Sequence, residues 1–130
     1  MKSKILAGVS ALALLAAAGS AVAAGSSSTV TQTGPTQSAI VKQTAETNGL
    51  STVIQKNAEN TADVVQSGKN NVSDIIQDGK KNDTDIAQAG LGGSVLVRQG
   101  PNLGTADNNN ADVTQTALAK DAKSRNYQLG

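Results

Sequence analysis

Short segments with an alternating pattern recur along the chain, most of them eleven residues apart. Each segment reads small–x–Val/Ile–x–Gln, so its first, third and fifth residues share one face of a β-strand. The glutamines are Gln32, Gln43, Gln55, Gln66, Gln77, Gln88, Gln99 and Gln115. The aliphatic residues two positions earlier are Val30, Val41, Val53, Val64, Ile75, Ile86, Val97 and Val113. The pattern predicts one short strand per unit, with these aliphatic residues in the core.

Glycine and asparagine recur after the glutamines and predict a turn in each unit. The turn glycines, two positions after a glutamine, are Gly34, Gly68, Gly79 and Gly90. The asparagines, five positions after a glutamine, are Asn48, Asn60, Asn71 and Asn82. Both residue types tolerate a positive φ, which tight turns require.

The repeats predict an all-β fold, an amyloid-like β-solenoid with two strands in each 22-residue coil. A five-residue strand cannot bury its apolar face alone, but stacked coils bury it against their neighbours. Residue i should then lie above residue i+22, which places Lys56 beside Asp78 and Glu59 beside Lys81. The same register stacks two aspartates, Asp63 and Asp85, which is unfavourable.

The recurring amides predict hydrogen-bonded ladders. A buried primary amide without a partner costs about 1–3 kcal/mol, and identical amides stacked in register avoid that cost by donating to one another. In the 22-residue register Gln55, Gln77 and Gln99 form one ladder, and Gln66 and Gln88 form another. We therefore interpret all eight glutamines and the four asparagines as an assembly ladder that favours continued stacking over a closed globule.

Two other folds compete with the solenoid. An eleven-residue repeat also suits a right-handed coiled coil, but the Val and Ile residues and the recurring glycines favour strands. The low aliphatic content leaves a disordered free monomer open as an alternative.

The pattern divides the chain into four segments. Residues 1–23 have a positive start at Lys2 and Lys4, an apolar run and a small-residue cleavage site, which are typical of a secretory signal peptide rather than a membrane-spanning helix. A short polar leader at 24–27 precedes the solenoid at 28–118. An irregular loop at 100–110 interrupts the solenoid, because Pro101 cannot donate to a strand ladder. A polar C-terminal tail follows at 119–130.

Composition narrows the possible functions. The 130 residues carry a net charge of +1 and include no Cys, His, Trp or Phe and a single Tyr. Disulfides, thiol chemistry and Cys-bound metals are excluded, and the commonest general base is missing. One aromatic residue gives no stacking platform for nucleic acid, and the low charge gives no phosphate-binding surface. We therefore expect no enzyme, no catalytic residues, no metal or cofactor, no small-molecule substrate and no nucleic-acid partner.

Outward positions of the strands carry two notable groups. Ile54, Val65 and Ile76 each precede a glutamine and should face outward, and Ile54 lies over Ile76 in the predicted register as an exposed apolar stripe. This stripe suits lateral packing or adhesion, although strand propensity alone also explains it. The aspartates three residues before a glutamine lie on the solvated face: Asp63, Asp74, Asp85 and Asp112. We interpret them as solubilising charges rather than a metal or acid–base site.

The repeat resembles that of the curlin family, which reads Ser-x5-Gln-x-Gly-x-x-Asn-x-Ala-x3-Gln. The stretch from Gln66 to Gln77 matches it with Ser73 at the alanine position, and the stretch from Gln77 to Gln88 matches with Thr84 there. Curlins are secreted subunits of curli, the extracellular amyloid fibres of bacterial biofilms. The resemblance implies a secreted subunit of a cell-surface fibre, with copies of itself, a second curlin-like subunit and a curli-type export machinery as partners.

Three functions follow as hypotheses. The first is a curlin-like subunit that self-assembles into extracellular fibres for adhesion and biofilm matrix, either as the major subunit or as a minor nucleator. The second is a monomeric secreted β-solenoid that binds a surface such as ice or a polysaccharide. The third is a solenoid hydrolase, which the absence of histidine disfavours.

Overall fold

A computed structural model describes residues 25–100 and 108–128 of the chain. Within these residues the backbone forms nine strands and no helix. The strands are β1 (Ser27–Thr33), β2 (Ser38–Thr47), β3 (Leu50–Ala58), β4 (Thr61–Lys69), β5 (Val72–Lys80), β6 (Asp83–Leu91), β7 (Ser94–Gln99), β8 (Asn110–Lys120) and β9 (Lys123–Gln128). A search of the same residues for an apolar helix long enough to cross a membrane found none. The predicted signal peptide and Pro101 lie outside the described residues.

Successive strands alternate between two parallel sheets. One sheet has the order β1-β3-β5-β7-β9 and the other the order β2-β4-β6-β8. Each coil therefore contributes one strand to each sheet, and every strand pairs with the strand one coil earlier or later. This arrangement is the predicted β-solenoid, which the structure confirms.

The 22-residue register is confirmed in the central coils. Gln55 pairs with Gln77 and Gln66 pairs with Gln88, and the two members of each pair are separated by 22 residues. The predicted ion pair between Lys81 and Glu59 is present at 3.9 Å. The unfavourable stack of Asp63 on Asp85 is present as well. Strands, turns and charges along the central coils therefore repeat at one interval.

The register lengthens at both ends of the solenoid. In the first coil the paired glutamines are 23 apart, and β2 carries a register shift between Thr44 and Thr47. Near the C-terminus, Gln88 and Gln115 pair across a separation of 27 residues. Gln99 and Gln128 pair across a separation of 29 residues. Both separations exceed the 22-residue interval because additional residues lie between β7 and β8 and around the end of β8. The paired strands on either side of these residues remain in register.

Residues 119–128 of the polar tail predicted at 119–130 are part of the solenoid instead, and residues 129–130 lie outside the described residues. Strand β8 extends to Lys120, and β9 pairs with β7 along its whole length. The repeat pattern missed β9 because the inward position two residues before Gln128 holds Asn126, where the other strands have an aliphatic residue. Backbone pairing with β7 provides the hydrogen bonds that the sequence pattern did not indicate.

The core is a narrow layer between the two sheets. Of the predicted core residues, Val53, Val64, Ile75, Ile86 and Val97 are fully buried. Val113 is also buried, whereas Val30 and Val41 pack against the cluster only in part, since they lie in the first coil. Buried residues four positions before a glutamine, such as Ser51, Ala62 and Val95, complete the layer.

Each corner between consecutive strands uses one residue in the left-handed region. These residues have φ between 53° and 71°, and they are Thr36, Asn48, Glu59, Asn70, Lys81, Gly92, Asn108 and Asp121. The predicted turn glycines lie two residues before this position. Gly68, Gly79 and Gly90 lie near the ends of their strands with φ of 116°, 126° and 152°. At Gly68 a Cβ atom would overlap the carbonyl oxygen of Gly90 in the next coil, so only glycine fits there.

Candidate assembly ladders

One continuous ladder of glutamine amides runs through the five-stranded sheet. Nε2 of Gln32 donates to Oε1 of Gln55 at 2.8 Å, and Gln55 donates to Gln77 at 2.8 Å. Gln77 in turn donates to Gln99 at 3.0 Å, and Gln99 to Gln128 at 2.8 Å. Gln55, Gln77 and Gln99 are buried, so the bonds that join these three amides are shielded from water.

A second ladder runs through the four-stranded sheet. Gln43 donates to Gln66 at 2.9 Å, Gln66 to Gln88 at 2.9 Å and Gln88 to Gln115 at 3.1 Å. All eight predicted glutamines therefore lie in one ladder or the other. In both ladders the donating nitrogen points toward the C-terminal coil.

Each amide also ties the two sheets together. Nε2 of Gln55 donates to the backbone oxygen of Ser38 at 2.9 Å, and Nε2 of Gln77 donates to that of Thr61 at 2.8 Å. Both acceptors begin the preceding strand, on the opposite sheet. A glutamine side chain is long enough to contact both the next coil and the opposite sheet, which explains why this residue type recurs.

Hydroxyl groups extend this network and were not identified by the sequence analysis. The Ser73 hydroxyl donates to Ser51 at 2.9 Å and accepts from Gln66 at 3.3 Å. The Thr84 hydroxyl donates to the amide oxygen of Gln99 at 2.8 Å. The sequence showed these positions only as small residues, and their burial beside an amide is the feature that gives them a partner.

The predicted asparagines occupy two kinds of corner. Asn60 and Asn82 stack at the same corner, where the Asn60 oxygen accepts the backbone N–H of Asn82 at 3.0 Å. Asn109, which the repeat pattern missed, continues this column by donating to the Asn82 oxygen at 3.1 Å. Asn71 lies at the opposite corner, where its side-chain oxygen accepts from the backbone N–H of Gly93 at 2.9 Å.

Asn48 is not equivalent to the other three asparagines. It is exposed, has φ of 56° and donates weakly to Asn70 at 3.4 Å, so its position matches Asn70 and not Asn71. The additional residue in β2 shifts it by one place, and Gly49 takes the buried corner position instead.

A row of three carboxylates lies on the outer surface of the four-stranded sheet. Asp63, Asp85 and Asp112 pair in register on β4, β6 and β8. Desolvation first, and then repulsion from Asp63, Asp112 and Asp83, raises the pKa of Asp85 above its ordinary value. A search for groups of three or more metal-ligating side chains found none among residues 25–100 and 108–128.

Comparison with known families identifies the repeat. The model of the curlin associated repeat matches residues 58–90, a stretch that includes all of β4 and β5 and three ladder glutamines, Gln66, Gln77 and Gln88. Residues 58–90 therefore carry the curlin associated repeat. The glutamine ladders continue beyond the matched stretch in both directions, to Gln32 and to Gln128. A search of curated proteins gave no match.

Proposed function

We propose that this curlin-repeat protein is a secreted subunit that assembles end to end into extracellular amyloid fibres. The observation that carries the proposal is the pair of directional glutamine ladders, because the hydrogen bonds that join one coil to the next also suit the first coil of another copy. Curlin repeats and a solenoid with parallel sheets support this function over a catalytic one.

The ends of the solenoid suit addition of further copies. Within the described residues, β1 and β2 are edge strands at one end, and β9 and β8 are edge strands at the other. Exposed edge strands pair readily with strands of another chain. Val30 and Val41 in the first coil are only partly buried, so a docked copy would remove further apolar surface from water.

The ladders also favour one orientation of docking. Their oxygens face the N-terminal coil and their amino groups face the C-terminal coil. Head-to-tail docking brings amino groups to oxygens, whereas head-to-head docking brings like groups together. We therefore expect polar fibres that grow by matching the C-terminal coil of one copy to the N-terminal coil of the next.

Fibre formation by the purified chain without residues 1–23 tests the proposal. We expect thioflavin binding, fibres in electron micrographs and cross-β diffraction spacings of about 4.7–4.8 Å and about 10 Å. A chain that stays monomeric for days at high concentration contradicts the proposal. If that monomer is a folded solenoid by circular dichroism, a surface-binding protein becomes the better interpretation.

Secretion and the partners require cellular experiments. We expect the chain to leave a bacterial cell that carries a curli-type export machinery, and to lose residues 1–23 on the way. Mass spectrometry of the exported chain measures the cleavage site. We also expect a second curlin-like subunit to start the fibres, which a shorter thioflavin lag in its presence measures. A chain that stays inside the cell and keeps residues 1–23 contradicts the prediction of secretion. A thioflavin lag that the second subunit leaves unchanged contradicts the prediction of a partner that starts the fibres.

A further inference from the structure

The two outer faces of the solenoid differ in chemistry. We call the outer surface of the five-stranded sheet the A-face and that of the four-stranded sheet the B-face. The A-face has a row in which Ile54, Ile76, Arg98 and Tyr127 stack on successive strands. Leu50 and Val72 stack in another row of this face. The A-face therefore has an apolar centre.

Positive charge is concentrated at the C-terminal end of the A-face. Arg98, Lys123 and Arg125 lie on its last two strands and are exposed. Asp74 lies nearer the centre of the A-face. Away from the corners, this face has two further charges, Lys56 and Asp78, which have opposite sign and stack on each other. The A-face thus has a net positive charge beside its apolar residues.

The middle of the B-face is acidic. Its central row holds Asp63, Asp85 and Asp112, and Asp83 lies beside that row on β6. The cations of this face lie away from the acidic row, on the first strand or at strand ends, and they are Lys42, Lys69 and Lys120. The neighbouring row begins with Lys42 on β2 and continues with the small or aliphatic side chains Val65, Ala87 and Thr114.

The acidic row of the B-face and the arginines of the A-face have no ion-pair partner among the described residues. Among residues 25–100 and 108–128, no ion pair joins Asp63, Asp85 or Asp112 to a lysine or arginine, and none joins Arg98 or Arg125 to a carboxylate. One carboxyl oxygen of Asp63 is enclosed and has no hydrogen-bond partner in the same residues. Carboxylates stacked at the spacing of adjacent strands, about 4.8 Å, repel one another. Desolvation first, and then this repulsion, raises the pKa of Asp85.

We propose that the A-face of one solenoid docks on the B-face of a second copy, so that fibres bundle laterally through unlike faces. This inference rests on the proposed fibre. Docking of unlike faces brings arginine and lysine to uncompensated carboxylates and covers the apolar row, whereas docking of like faces opposes charges of one sign. An interface between unlike faces does not close on itself, so copies add side by side without limit.

The spacing of the two faces supports this pairing. Both sheets are parallel and in register, and strands in both follow one another at the same distance of about 4.7–4.9 Å. Side chains that project from the A-face of one fibre therefore repeat at the same distance as those on the B-face of the next fibre. Repetition along a fibre multiplies the weak attraction of each exposed charge pair.

Reversal of the charges on one face at a time tests the proposal. Variant one carries Arg98→Glu and Arg125→Glu, and variant two carries Asp85→Lys and Asp112→Lys. We expect each variant alone to form single fibres with loss of bundles, because its two faces then have the same sign. An equal mixture of preformed fibres of both variants should bundle again. The control carries Lys80→Glu and Lys81→Glu, which changes the net charge as variant one does but at a corner.

Electron microscopy of fibre width and thioflavin kinetics separate the possible outcomes. Bundling by each reversed variant alone, or no bundling in the mixture, overturns the inference even when thioflavin shows normal fibres. Normal bundling of the control supports the role of the faces. High salt should also separate wild-type bundles, because at 1 M the Debye length falls to about 3 Å.

Cysteine cross-linking tests the same contact whether or not fibres form. The chain has no cysteine, so Ile76→Cys places a single thiol on the A-face and Ala87→Cys places one on the B-face. In a mixture of the two variants, a mixed disulfide reports contact between unlike faces. A disulfide between two copies of one variant reports contact between like faces. We expect the mixed disulfide to exceed the share given by random pairing of two equal pools. A random share overturns the inference, and absence of thioflavin-positive fibres in the same sample overturns the proposed function separately.

Discussion

Replacement of Gln77 by alanine is the sharpest test of the ladders. The side chain is fully buried and accepts from Gln55 at 2.8 Å. Its amide nitrogen donates to Gln99 at 3.0 Å, to the Thr61 backbone oxygen at 2.8 Å and to the Thr84 hydroxyl at 3.1 Å. Gln77→Ala removes all of these bonds at once and leaves a cavity in the core.

The expected loss of stability is large for a small domain. Each hydrogen bond contributes about 0.5–1.5 kcal/mol net, and large-to-small replacements in a core cost about 2–5 kcal/mol. We expect Gln77→Ala to lower the free energy of unfolding by about 3–5 kcal/mol. Asp74→Ala, on the outer side of the same strand, should change it by less than about 0.5 kcal/mol.

Denaturation followed by far-ultraviolet circular dichroism measures this difference, and thioflavin lag times measure its effect on assembly. Gln77→Leu separates hydrogen bonding from packing, since leucine fills most of the volume but leaves the Gln55 amide and the Thr61 oxygen without this partner. We expect a loss of about 2–3 kcal/mol for Gln77→Leu. If that variant lies within about 0.5 kcal/mol of the wild type, the role of the ladder is refuted. Equal lag times for Gln77→Ala and Asp74→Ala would refute it as well.

Three further predictions concern the turn, the acidic row and the hydroxyls. Gly68→Ala should lower the free energy of unfolding by about 2–4 kcal/mol, because the φ of 116° and the Gly90 oxygen exclude a side chain. Lys81→Gly should lower it by less than about 0.5 kcal/mol, and chemical denaturation of both variants measures the difference. Folding raises the pKa of Asp85, so the folded state holds that proton more tightly than the unfolded state and stability should rise as pH falls through the carboxylate range. In a pH series of unfolding midpoints, Asp85→Asn should be more stable than wild type at pH 7, with the difference vanishing below pH of about 4. Ser73→Ala should cost about 1 kcal/mol by the same denaturation assay, since its buried hydroxyl bridges two coils.

The regular part of this fold could be predicted because a single interval carries several independent signals. Glutamine, β-branched residue and glycine recur together between Gln55 and Gln99, and the structure keeps a 22-residue register across that stretch. Burial of the aliphatic residues follows from strand alternation alone. The charge pair of Lys81 with Glu59 also followed from the register without knowledge of the backbone.

The irregular ends could not be predicted because tertiary pairing there outweighs the sequence pattern. Strand β9 has no aliphatic inward residue, and its glutamine is separated by 29 residues from its partner Gln99. A bulge in β2 displaces Asn48 from the corner that its spacing suggested. The left-handed residue was also missed at corners such as those of Thr36, Glu59 and Lys81, because these are not residue types that mark such a conformation.

The glutamine ladders connect the stability of one subunit with the tendency to assemble. Inside the chain, an amide such as Gln66 is satisfied by three neighbours: the coil before it, the coil after it and the opposite sheet. Gln43 and Gln115, in the terminal coils of their ladder, each have a coil on one side only within the described residues. Because the same side chain that stabilises the centre is repeated at both ends, the sequence cannot strengthen the solenoid without also making its ends suitable for another copy. If the proposed fibre forms, stability and polymerisation are two consequences of one repeated hydrogen bond.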